Sequence, residues 1–129
     1  MTLNFNLVRG PTMFNADQLD QVEISIKQAK EKISYMKSLE KLAKNKDFKN
    51  LIDTGYLEKE AIRLVHLKAD LNMASEDNQK YINDAINAVG FFRNYLSTVS
   101  QQGEHAKQAL VSHEETREEI LSDDLIGEQ

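Results

Sequence analysis

Three histidines, His66, His105 and His113, are the residues of this chain best suited to metal or acid–base chemistry. His113 opens the run HEETREEI, which comes within one residue of the helical zinc-protease pattern. That pattern places two imidazoles four residues apart so that both reach one metal, with a carboxylate beside them as base. Here the second ligand position is Arg117, a permanent cation, so the pattern fails at the residue that decides it. No carboxylate–x–x–His pair of the di-iron helix type surrounds any of the three. His66, in RLVHLKAD, has no nucleophilic Ser with an orienting acid beside it and reads as a helix-packing histidine. Gly55, Gly90 and Gly103 stand alone and form no phosphate loop, and the chain has no Cys for thiolate ligation, disulfides or nucleophilic attack. The expectation is a protein without catalytic, cofactor-binding or metal residues, and HEETREEI is expected to be docking surface.

Composition points the same way. Charged residues make up 29% of the 129, with five Gly and one Pro, a balance suited to long helices within one domain. The opening MTLNFNLVRGPTMF has no apolar core of signal-peptide length, and no run of about 18 apolar residues occurs. A soluble intracellular product with no membrane partner is expected. The net charge of -5 conceals a gradient: residues 27–49 carry eight Lys against three acids, and residues 111–129 carry seven acids against Arg117. Lys37, Lys41 and Lys44 are the candidate phosphate contacts of that basic helix, although it has no Arg and few aromatics. A solvated face, or a complement to acidic helices, is the preferred reading.

The elements follow from hydrophobic spacing. Leu3, Phe5 and Leu7 alternate with Asn4 and Asn6, the period of a strand, before Gly10-Pro11 breaks it, so residues 1–15 are expected to form an extended N-terminal arm. Leu19, Val22, Ile26, Ala29, Ile33 and Met36 then alternate steps of three and four, predicting a long helix over 16–45 of about 42 Å. Residues 47–71 read as two short helices meeting at Gly55, which is expected to take the left-handed conformation. Ser75, followed by Glu76 and Asp77, caps a fourth helix. Ile82, Ala85, Val89, Phe92, Leu96 and Val99, continued by Gly103, Ala106, Leu110, His113, Arg117 and Ile120, hold the three–four alternation without a slip. This predicts one very long helix over 76–123 with the period of a left-handed coiled coil, and Gly103 as its weak link.

Folding the first helix back along the last gives an all-α antiparallel long-helix hairpin, coiled-coil-like, with a short two-helix head and an extended N-terminal arm. Residues 16–129 form its single helical domain. In that register residues near 19 face the region around 100, and about 25 Å of the last helix, residues 105–125, projects past its partner. Leu110 and Ile120 would bury apolar area in an outer contact, with His113 and Arg117 marking register and Glu118 and Glu119 steering. Phe91 and Tyr95, in GFFRNY, lie off the seam and would cover the first helix or a neighbouring subunit.

Residues 45–70, NKDFKNLIDTGYLEKEAIRLVHLKAD, followed by the long helix ending in HEETREEIL, resemble a family of small helical proteins encoded among the structural genes of tailed bacteriophages. The resemblance implies a non-enzymatic virion component or an assembly factor of the capsid or portal region, made in the host cytoplasm and present in some cases in the virion. Its partners would be other copies of itself or other phage structural proteins. It transfers no functional residues. The alternative is a host-takeover or nucleic-acid-associated factor working through Lys37, Lys41 and Lys44.

Overall fold

The computed structural model describes the backbone of residues 2–128 and the side chains of residues 16–123. The extended arm expected over residues 1–15 is corrected: the backbone is helical from Thr2, and α1 runs on through Gly10-Pro11 where a break was expected, while the side chains of Leu3, Phe5 and Leu7 lie outside the described ones. The architecture is all-α: α1 (Thr2–Ala43), α2 (Lys46–Phe48), a π-helix (Lys49–Glu60), α3 (Ala61–Lys68), a 3-10 turn (Leu71–Met73) and α4 (Glu76–Glu128). The last helix packs against the first as a hairpin. The chain divides into two compact units, one of residues 1–34 with 102–129, the other of residues 35–101.

Side-chain caps start three of these elements. Asn45 caps α2 by accepting from Phe48 N–H at 2.9 Å. The Asp70 carboxylate accepts from Asn72 N–H at 2.9 Å and starts the 3-10 turn. Ser75 Oγ accepts from Asn78 N–H at 3.2 Å, the N-cap of α4, with Glu76 and Asp77 at the positive end of the helix dipole.

Within the unit of residues 1–34 and 102–129, Val22, Ile26 and Ile120 form a buried cluster, with Leu19 and Leu110 packed against it. Ala29 and Ala106 are buried in the same unit, as is Gly103, through which α4 continues as one helix. Every described seam position is buried or half-buried, six on α1 and twelve on α4. The three–four alternation thus identifies the packed face correctly.

The register differs from the expectation. Ile120 meets Val22 and Ile26, whereas the simple hairpin sends residues near 19 to the region around 100, so α1 pairs about three heptads further along α4. The last helix therefore does not project bare through residues 105–120. Within the other unit, the 46–68 run packs on α4: Tyr56 stands edge-on to Phe92 with ring centroids 6.0 Å apart. Leu57 of this run and Leu39 of α1 line one groove with Leu96 of the α4 seam.

That run also departs from two helices meeting at a left-handed Gly55. Residues 46–68 are helical without a break, and Gly55 sits inside the π-helix with no positive φ. A Cβ built on Gly55 would stand 3.0 Å from the Asn50 carbonyl oxygen, five residues earlier. The wider π turn carries that carbonyl to where a side chain would be, so glycine here permits a widened turn and does not end a helix.

Candidate interaction surfaces

HEETREEI lies on α4 in the unit of residues 1–34 and 102–129. Arg117 Nη1 stands 3.9 Å from Glu23 Oε2 on α1, a loose surface pair, and Thr116 Oγ1 donates back to the Ser112 carbonyl at 3.0 Å. His113 is half-buried and lines two shallow grooves between α1 and α4, the first with Ser25, Lys32 and His105, the second with Gln21, Val22 and Glu119. Among the described residues no three His, Asp or Glu side chains are grouped to hold a metal ion. No buried polar or charged side chain is found among them either.

Of the residues expected to dock partners, Ile120 is core, 8% exposed, and Leu110 packs beside it. Both are used within the chain, which corrects their assignment to an outer contact. His113 and Arg117 face α1. Glu118 and Glu119 are exposed, as are Phe91 and Tyr95 at 71% and 57%. Lys37, Lys41 and Lys44 are exposed too, and among the described residues no lysine of residues 27–49 forms a salt bridge.

The unit of residues 35–101 carries an open groove of about 500 Å³ beside the π-helix. Leu39, Leu57 and Leu96 supply its apolar part, and Asp53, Glu58 and Arg93 its charged part. π-Helical turns concentrate at functional sites because the widened backbone re-aims side chains. Near its end Arg63 grips Glu60 through two hydrogen bonds, Nε to Oε1 at 2.7 Å and Nη2 to Oε2 at 2.8 Å. The hydrogen bond from Arg63 holds the Glu60 carboxyl below its usual range, and the same bond raises the guanidinium.

A second surface emerges from exposure. Nine apolar residues are buried among those described, whereas twelve large ones are exposed, among them Leu51, Ile62, Val65, Leu71, Tyr81 and Phe91. On α4 the exposed positions Tyr81, Asp84, Ala88, Phe91, Tyr95 and Thr98 again step by three and four. A helix repeats its faces at those steps, so the six form a second stripe beside the packed seam. The sequence carries this series, but Asp84 and Thr98 dilute its apolar signal, and the stronger neighbouring seam conceals Tyr81 and Ala88 as members. The chain matches no protein-family model, curated protein or solved structure.

Proposed function

We propose that this chain is a non-enzymatic structural or assembly protein of a tailed bacteriophage, acting in the capsid or portal region through helix-mediated contacts with copies of itself or with other phage structural proteins. One observation carries the mode of action: among the described residues twelve large apolar side chains are exposed, and three of them, Tyr81, Phe91 and Tyr95, share one stripe of α4. Single exposed apolar residues are ordinary, but ordered stripes of them mark surfaces that other molecules cover. The resemblance of residues 45–70 and the α4 helix to small phage helical proteins supplies the setting, the host cytoplasm during assembly and, for a retained component, the virion.

Detection of the chain in purified particles or in assembly intermediates, together with loss of particle assembly when its gene is removed, is the expected result. Normal particles made without it, and none of it bound to intermediates, would end the proposal.

A second reading rests on the exposed side chains of Lys37, Lys41 and Lys44, which lack salt-bridge partners among the described residues. Each neutralised phosphate releases counterions, so a nucleic-acid role requires affinity that falls steeply with salt. Fluorescence anisotropy with a DNA or RNA duplex at low salt decides it. Binding that disappears when the three lysines become Gln favours this reading, and no binding at low salt dismisses it.

A further inference from the structure

We infer that the second α4 stripe is a docking surface for another copy of this chain, packed antiparallel so that the two Ala88 residues meet at the crossing point. This deepens the interaction role proposed above and is independent of the virion setting. Three facts carry it.

The first is symmetry. Tyr81 and Tyr95 lie seven residues either side of Ala88, on one face of a continuous α-helix. A twofold axis through Ala88 therefore sets each Tyr81 opposite the partner's Tyr95, as a self-complementary interface requires. The methyl group of Ala88 at the crossing is the smallest side chain in the stripe, which lets the two backbones approach closely while the larger rings pack on either side.

The second is area. Tyr81, Phe91 and Tyr95 are 67%, 71% and 57% exposed. At roughly 200 Å² per ring this leaves roughly 400 Å² of aromatic surface per copy in contact with water. A stable interface takes about 800 Å² from each partner. The three rings supply about half of that over about 21 Å of helix, and Asp84, Ala88, Thr98 and their flanks supply the remainder.

The third is charge, which selects the direction. An in-register parallel pair would place the two Asp84 carboxylates against each other, a like-charge contact that disfavours the pairing. In the antiparallel pair each Asp84 lies beside the partner's Phe91 region and keeps its own Lys80, whose ammonium stands 3.0 Å away. The helix dipoles also oppose, the favourable sense.

The absence of cysteine makes the test direct. The full chain, 14.7 kDa, is run in sedimentation equilibrium over a micromolar concentration series. A dimer is expected, and Phe91→Glu should raise its dissociation constant at least about tenfold while circular dichroism shows unchanged helix content. Ala88→Cys should give a disulfide-linked dimer on mild oxidation, and Val111→Cys, exposed in the other unit, should not. An equimolar mixture of Tyr81→Cys and Tyr95→Cys should cross-link, whereas Tyr81→Cys alone should not. A monomer throughout the series would overturn the second copy as occupant, while leaving recruitment to particles to its own test. A dimer indifferent to Phe91→Glu and unlinked by Ala88→Cys would overturn this surface, though self-association would stand. Ready cross-linking of Tyr81→Cys by itself would overturn the antiparallel arrangement. Should Phe91→Glu lose helix content, the cysteine variants alone decide.

Discussion

Gly55 sits in mid-helix, where replacing glycine by alanine ordinarily stabilises by about 1 kcal/mol through lower backbone entropy loss. Here the new Cβ meets a backbone carbonyl at 3.0 Å, which cannot swing aside as a flexible side chain would. Gly55→Ala is expected to destabilise by about 1 kcal/mol in urea unfolding, because relieving the contact means rewinding the π turn. A gain in stability would show that the widened turn is not kept in solution. Glu60 offers a pH counterpart. Its carboxyl is held low by Arg63, so the pair's contribution is complete above the carboxyl's unfolded value and is lost as pH falls through the folded one. Both groups are in water, and the effect is local. Arg63→Gln should return the Glu60 titration, followed by carboxyl NMR, to the ordinary range, and an unmoved titration would exclude Arg63 as the cause. The Glu60–Arg63 pair, three residues apart on a helix, follows a spacing that the sequence displays, whereas the role of Gly55 could not be found that way. An i to i+5 turn leaves no distinctive pattern in a single sequence, and Gly55 followed by Tyr56 reads equally well as a helix stop.

At the scale of elements, the seam of α4 and its cap are the most legible features. The alternation from Ile82 to Ile120 and the Ser75 start signal both express local geometry, in which residues three and four apart share a face and a hydroxyl satisfies a free N–H. Ser75→Ala should cost about 1 kcal/mol of stability, measured by thermal or urea unfolding. No change would mean that another group takes the Asn78 N–H. Gln79 has a role that spacing does not announce: its Nε2 donates to the Lys68 carbonyl at 3.1 Å and the Met73 carbonyl at 2.9 Å, tying the end of α3 and the 3-10 turn to the first turn of α4. The three segments are brought together by a turn whose path depends on packing, so the amide's targets are set only once that path exists.

For the molecule as a whole, the position of Ile120 changes what a truncation would mean. In a hairpin with a bare projection, removing residues 105–129 would take away docking surface alone. With Ile120 buried against Val22 and Ile26, the same deletion uncovers the core of α1. Hydrogen exchange of the truncated chain should therefore show lost protection over residues 16–34, and Ile120→Ala in the full chain should cost about 2–5 kcal/mol. Unchanged protection of residues 16–34 would count against this packing. Exposed positions such as Phe91 are the sound places to probe association, since truncation there removes no core contact.

The helical character, the two apolar seams and the starting caps were determined by the sequence itself, because each depends on groups within one or two turns of one another. Two things required the tertiary structure: the register of α1 along α4 in the unit that holds Ile120, and which stripe of α4 is left exposed. A three–four seam repeats every seven residues, about 10.5 Å, so a helix shifted by whole heptads still places apolar against apolar. The choice among those registers belongs to the total area buried, a sum over distant segments that no local pattern contains.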